Sequence, residues 1–430
     1  MVKLTKNRPI CTPPGPIPFP VIGNLHLLSK GEPHIGLFQL YLQYGKIYQF
    51  WFGTVNTIVL NEPDVIKEAF VQQSAIFTDH YIHPTMHIVG DSNNLGFTNG
   101  HEWINKRAII TKALQKSGFF HPENLFTREF MEMKKVLDQA IQTSNNNILN
   151  IRPFIKKLTF NIITKFLFSN ATSYDNEGDE IMFNLMDAFE TIASQLGNGN
   201  NTGDLIPILK PFNSPNELQR ATHLVLTFVK PFVNEHLLSL DPENPRDFLD
   251  NLLLELQDES KSMMMSLDSI ERIFIELLVG GVDTISTTIE FLVIHLSNNP
   301  EVQEKLHKEL IQTPEIPYHI DNKAAYPYLN AVIKEGWRYR PTVPLGLPHR
   351  NNKSTMINSY YIPQNCQIIA NYYAANLSPQ LWNEPNKFDP MRFINNPSLD
   401  LSVFGYGPRK FIGVLMIPET FSIRIDQRNK

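Results

Sequence analysis

Two stretches of this chain carry residue types and spacings suited to chemistry around a flat ligand. The first is Phe404 to Gly413, FGYGPRKFIG, where Gly405, Gly407 and Gly413 stand among aromatics and two cations, Arg409 and Lys410. Glycine at that density lets backbone come close to a flat group or take positive φ angles, although an ordinary surface loop can look the same. The second is Gly280-Gly281-Val282-Asp283-Thr284, in the middle of a long apolar run. Two mid-helix glycines cost about 1 kcal/mol each relative to alanine. Close approach of a flat cofactor would require bare backbone there, and so would a packing notch in a core helix. Thr284 can bond back to the carbonyl of Gly280 and loosen the helix locally.

Three smaller patterns accompany these. Trp103 and Arg107 are four apart on a helix and share a face, which fits a ligand clamp or a plain cation–aromatic pair. Glu335 and Arg338 are three apart on a helix whose Leu329, Val332, Ile333 and Trp337 suggest burial. A buried carboxylate–guanidinium pair wants further partners to offset desolvation. Arg392 stands in Pro390-Met391-Arg392-Phe393, on the Pro-rich approach to the glycine-rich loop.

Together, and in this order, the motifs resemble the haem-thiolate monooxygenases, the cytochrome P-450 family. The family's cofactor loop reads Phe-x-x-Gly-x-Arg-x-Cys-x-Gly. Phe404, Gly407, Arg409 and Gly413 fall on that pattern, and Phe411 stands at the cysteine position. The resemblance implies haem b as cofactor, with Trp103, Arg107 and Arg409 on its propionates and His349 as a further candidate. It makes Gly280, Gly281, Asp283 and Thr284 the oxygen-binding segment, where the acid and the threonine relay protons. Glu335, Arg338 and Arg392 become a structural clamp positioning the cofactor loop. The implied activity is insertion of oxygen into a small apolar molecule, with electrons from an NAD(P)H-dependent flavin reductase.

Phenylalanine has no lone pair, so no metal ligand is assigned at position 411. The family's chemistry depends on a thiolate that pushes electron density onto iron. The family also continues after Gly413 with a helix, whereas residues 414–430 read VLMIPETFSIRIDQRNK and resemble its terminal β-segment. The expectation is a chain not competent for monooxygenation. The alternative is a non-catalytic haem- or lipid-binding remnant, or a chain that rarely folds.

The elements that must hold these residues read as one domain, mainly α with a small β-lobe. Its parts include a Pro-rich lead-in at 1–24, the cofactor-loop remnant at 404–413 and the terminal segment at 414–430. At 430 residues the length allows about three domains or one large one. Helices are expected at 37–44, 64–70, around 103–107, and at 154–169, 181–196, 221–240, 246–256, 273–296, 301–310 and 328–339. A hairpin is expected at 47–52 and 57–60, and strands at 356–362 and 366–371. Residues 80–100 read as a long loop, which in the resembling family roofs the substrate pocket. The polar breaks 145–147 and 198–201 read as loops. Ser266 and Asp268 offer caps for the long helix, and Glu276, Asp283, Glu290 and His295 argue against its crossing a membrane. Lys106, Lys112 and Lys116 make either a solvated helix face or a docking patch for an acidic redox partner.

The formal net charge of −5 argues against nucleic acid, which needs a basic excess. Two cysteines, Cys11 and Cys366, make no disulfide framework and fit an intracellular, reducing compartment. Cys366 lies in a strand pattern and reads as inert. Lys3, Lys6 and Arg8 interrupt the start, so no membrane anchor is expected in this chain. A cytoplasmic place, or a peripheral one on the endoplasmic reticulum, follows.

Overall fold

A computed structural model describes residues 11–410, apart from 29–31, 91–92, 118–122, 144–148, 175–178, 198–201, 213–214, 258–260, 262–263, 313–323, 400 and 402. The expected loops at 145–147 and 198–201, and the segment from Phe411 onward with Gly413, lie outside the described residues.

The architecture is mainly helical with a small β-lobe, as the patterning implied. Strands β1 (Ile47–Phe52) and β2 (Val55–Leu60) form the hairpin, antiparallel with Ile47 opposite Leu60. Strand β3 is His349–Arg350, and β4 (Thr355–Ile357) pairs with β5 (Tyr360–Ile362) in a separate two-stranded sheet. Strand β6 (Gln367–Ala370) runs parallel to β2 and antiparallel to β3, giving the order β1-β2-β6-β3. That order carries His349, late in the chain, into the same sheet as the early hairpin.

The helical part is built around Leu267–Asn298. The Ser266 hydroxyl accepts the N–H of Ser269 at 3.2 Å, so the helix starts at its cap, before the apolar run becomes dense. By length and composition this helix could cross a membrane. Its apolar side instead packs against helices Arg152–Phe168, Asp179–Gly197 and Asn216–Ser239. Phe274 stacks on Phe168 at 4.8 Å and lies 5.6 Å from Phe248, at the centre of the largest apolar cluster. Glu276 interrupts the run where the helix meets the amides of Leu95 and Gly96, and Glu290 where it lies 3.5 Å from Arg152.

Several boundaries differ from the sequence reading: helix Glu123–Thr143 is not among the expected ones, the strand expected at 356–362 is the pair β4 and β5, and two further differences have a plain local cause. The first helix spans Pro33–Tyr44, because proline at the first helical position is a start signal rather than a break. Residues 80–100 are not all loop: Met86–Gly90 forms one short helix, whose Met86 and Val89 are buried in the core. Five residues are too few to display a helical period.

Helix Phe248–Glu255 is capped by Asp247, whose side chain accepts the N–H of Asp250 at 3.0 Å. The other Asp247 oxygen meets His236 Nε2 at 2.9 Å, both groups buried. Burial disfavours the imidazolium, but the Asp247 hydrogen bond and charge outweigh it, so the His236 pKa is raised. A histidine with a raised folded-state pKa adds stability below its ordinary value near 6.5, and loses it as pH rises through the folded value. Unfolding titrations should therefore show stability falling above about pH 6.5 in the native chain and a flatter profile in His236→Gln. The variant should be less stable at the acid end by about 1–3 kcal/mol.

Candidate functional site

A cavity of ≈ 380 Å³ lies between the central helix, helix Gly100–Lys116, strand β3 and the segment 403–409. That volume is within the range of small-molecule sites, about 300–1,000 Å³. Its walls are chiefly apolar, and one group of polar residues, His80, Arg107, Glu276, His349 and Arg409, lies around Trp103.

On the central helix, Gly280, Gly281, Asp283 and Thr284 all line the cavity. Thr284 Oγ1 donates to the Gly280 carbonyl at 2.5 Å, the back-bond its spacing predicts. A Cβ on Gly281 would lie 3.1 Å from Ile163 Cδ1, so bare backbone at 281 serves helix packing. Asp283 has its carboxyl pKa raised by burial, with Lys156 and Arg152 opposing the shift and Glu190 adding to it.

Trp103 is buried and faces two guanidinium groups. Arg409 lies over its ring at 4.0 Å and Arg107 at 5.5 Å. Arg409 donates to the carbonyls of Thr78 (2.9 Å), Leu95 (3.2 Å) and Thr98 (2.5 Å), and to Asn99 Oδ1 (2.9 Å). Burial pulls its pKa down to about 9. Arg107 donates to the Lys410 carbonyl at 3.0 Å. His349 is not a surface residue: its Nδ1 donates to the Phe77 carbonyl at 2.7 Å, and its ring stacks on Phe70 at 4.0 Å.

The segment carrying Arg409 folds back on itself through Gly405 and Gly407, at φ 78° and 72°. A Cβ on Gly407 would sit 1.8 Å from the Phe70 carbonyl oxygen, so only glycine fits there. Phe404 meets Trp337 edge-on at 5.0 Å. Trp337 belongs to helix Pro327–Tyr339, which also carries Glu335 and Arg338, both wholly buried. Arg338 forms a two-pronged pair with Glu335 at 2.7 and 2.8 Å and donates to the carbonyls of Asn376, Pro385 and Lys387. Arg392 Nε reaches Glu335 at 3.4 Å. The three clamp candidates thus meet in one network.

The lysine patch needs correction. Lys106 is 1 % exposed and bound to Glu102 at 2.6 Å, so it is no part of a solvated face. Lys112 and Lys116 reach Glu255 at 3.0 and 2.5 Å. Burial works to raise the Glu255 carboxyl, but hydrogen bonds from Lys116, Lys261 and Lys112 bring it down to about 2. These charges staple two helices together.

Two site residues escaped the sequence reading. Glu276 is buried at the cavity wall and accepts the N–H groups of Leu95 and Gly96 at 2.9 Å. Burial raises its carboxyl to about 7, against those bonds and the charges of Arg409 and Lys106. His80 lines the cavity beside His349, their ring centroids 4.8 Å apart and nearly perpendicular. No local pattern marks either one, because both act on chain far away in sequence.

A family model described as Cytochrome P450 matches residues 13–416. The chain belongs to the cytochrome P450 family. It is 31 % identical over 409 residues to a Dictyostelium discoideum protein named "Probable cytochrome P450 515A1", covering 93 % of this chain and 81 % of that one. A second from the same organism, "Probable cytochrome P450 516A1", is 31 % identical, covering 96 % and 87 %. A third, "Probable cytochrome P450 555A1", is 32 % identical, covering 93 % and 84 %.

Haem is the cofactor of the P450 family, and its parts fit this P450 cavity unequally. The polar end, with Trp103 and two arginines over it, suits an anionic carboxylate edge beside an apolar chamber. A cysteine thiolate is not on offer among the residues lining the cavity. Cys11 is exposed, and Cys366 is buried in β-lobe packing, where its sulfur accepts from Asn56 at 3.2 Å. Burial pushes the Cys366 thiol up to about 12, far from a thiolate.

Removing one partner of a buried charge pair leaves the other uncompensated, at about 3–5 kcal/mol. Arg338→Met should lose that much in denaturant unfolding. Arg338→Lys, which keeps the charge but not the fork, should also be destabilised, whereas Lys112→Ala should change stability by less than about 1 kcal/mol.

Proposed function

We propose that this chain binds haem by its carboxylate edge in the cavity, next to an apolar small-molecule chamber, and does not carry out thiolate-driven oxygen insertion. The observation that carries this is Phe411 at the thiolate position, in a chain whose two cysteines are both absent from the cavity wall. Haem-dependent monooxygenation is the general activity of the P450 family. A haem without a thiolate lacks the electron push that favours O–O cleavage.

In this reading Trp103, Arg107 and Arg409 bind the carboxylates, with His349 beside them. Phe404 and Gly407 shape the turn that carries Arg409, Gly413 remains a candidate by its place in the motif, and Glu335, Arg338 and Arg392 hold that loop's approach. Gly280 and Gly281 present low-relief backbone to the cavity. Asp283 and Thr284 keep a carboxyl and a hydroxyl on that wall, able to hold a proton and to accept a hydrogen bond. Ile163, Ile192, Val279 and Ile289 line the chamber and favour an apolar ligand. The chain acts as one domain, in an intracellular setting, cytoplasmic or at the face of the endoplasmic reticulum. A flavin reductase using NAD(P)H is the partner that family membership supports.

Absorbance of the reduced carbon-monoxide complex tests the reading. The native chain should bind iron protoporphyrin one-to-one yet give no thiolate-type Soret band. Phe411→Cys should restore that band if the thiolate is the missing element. A thiolate-type band from the native chain would sink the proposal.

A further inference from the structure

We propose that Thr288 and Thr342 form a ligand-recognition pair on the cavity wall that accepts hydrogen bonds and gives none, so that the apolar chamber takes a ligand carrying a hydroxyl or another hydrogen-bond donor. This rests on the reading of the cavity as a small-molecule chamber and adds the chemical class of its occupant.

The two hydroxyls come from separate parts of the chain. Thr288 is on the central helix, one turn beyond Thr284, and Thr342 follows Pro341, just past the end of helix Pro327–Tyr339. That helix lies close against the central one because Gly336 has no side chain: a Cβ there would sit 2.4 Å from Leu292 Cδ2. Leu292 is one turn after Thr288. The same close packing therefore brings Thr342 alongside Thr288, Oγ1 to Oγ1 at 2.9 Å. Thr284, Thr288 and Thr342 all line the cavity.

Counting hydrogens fixes which way the bonds run. A threonine hydroxyl has one hydrogen and two lone pairs. Thr284 gives its hydrogen to the Gly280 carbonyl. Thr288 Oγ1 lies 2.8 Å from the Thr284 carbonyl oxygen, which only accepts, so the Thr288 hydrogen is committed there. A contact of 2.9 Å between two hydroxyl oxygens needs a hydrogen between them, so Thr342 supplies it. Among the described residues Thr342 Oγ1 has no other partner, and its two lone pairs remain.

The neighbours leave the pair to act alone on its part of the wall. Ile289, Leu292 and Val343, adjacent to it in sequence or one turn on, are apolar and line the cavity. Arg107 and Arg409, the cationic donors, lie over Trp103. Asp283 precedes Thr288 by five residues, about 140° around the helix, and so is off the Thr284–Thr288 stripe. A ligand alcohol at the pair donates to Thr342 with no rearrangement. A ketone oxygen there faces lone pairs, and is satisfied only by breaking the Thr342–Thr288 bond. One neutral hydrogen bond corresponds to about fivefold in affinity.

Titration calorimetry of the full chain as purified, with cyclooctanol and cyclooctanone as probes, tests this. The two share a ring and differ in carrying a donor, so the ratio of their affinities cancels what the ring contributes. Thr342→Val removes the acceptor and puts a methyl group where the hydroxyl capped Thr288. The alcohol should weaken about fivefold and the ketone little. Thr342→Ser keeps the hydroxyl and should keep the native ratio. Thr288→Val frees the Thr342 hydrogen, so the ketone should gain about fivefold, which a merely structural role would not produce. A ratio that Thr342→Val leaves unchanged, or a ketone that gains nothing in Thr288→Val, would overturn this inference alone. Binding of neither probe would overturn the apolar chamber of the proposed function as well.

Discussion

A guanidinium group removed from water must be surrounded by acceptors, and two such groups set the shape of the site. Arg338 is fully buried, and it recruits Glu335 and three carbonyls from residues 376–387. That requirement folds the irregular chain after Leu377 across helix Pro327–Tyr339, and Arg392 then reaches the same carboxylate. Arg409 is largely buried and recruits carbonyls from Thr78, Leu95 and Thr98, more than 300 positions earlier. That second requirement draws the roof over the cofactor loop. Glu276 completes the arrangement from the central helix: it takes the Leu95 and Gly96 amides while Arg409 takes the Leu95 carbonyl. One short stretch of roof is thus pinned by an anion at its donors and by a cation at its acceptors.

The central helix solves a different problem at the same place. Two adjacent glycines weaken a helix, and each needs a compensating use. At Gly281 the use is contact with Ile163, which lets helix Arg152–Phe168 lie close. At Gly280 the use is bare backbone at the cavity wall. The pair therefore combines the two readings that looked like alternatives. Both glycines border a cavity that needs low relief, and Gly281 is a packing notch as well.

What was legible in the sequence follows from how local each cause is. The long helix could be read because Ser266 caps it and its apolar residues repeat. The hairpin could be read because both strands alternate around Gly53. The Glu335–Arg338 pair could be read because both partners and their apolar surroundings lie on one helix. Glu276 was legible only as a charge that argued against a membrane span. Its work depends on a loop some 180 residues away. His80 lay in what read as plain loop, and its meaning comes from an isolated bridge to His349. Lys106 read as surface because lysine usually is. Its burial comes from the fold around helix Gly100–Lys116, while its partner Glu102 sits one turn away. Position 411 is the converse case. Its chemistry is readable from residue type alone, although it lies outside the described residues.

That last point separates scaffold from chemistry. The forces that build this cavity are desolvated arginines, a capped apolar helix and a sheet that joins early and late chain. None of them needs a thiolate. An axial cysteine is an ionised sulfur held in a mostly apolar setting, which costs desolvation until a metal compensates it. A phenylalanine in its place removes both the ligand and that cost. Selection for a stable fold therefore offers no resistance to this substitution, while selection for oxygen activation would reject it. Family membership is written in residues such as Arg338, Arg409 and Trp103, which answer to packing and charge. Activity answers to one further atom that those residues do not supply.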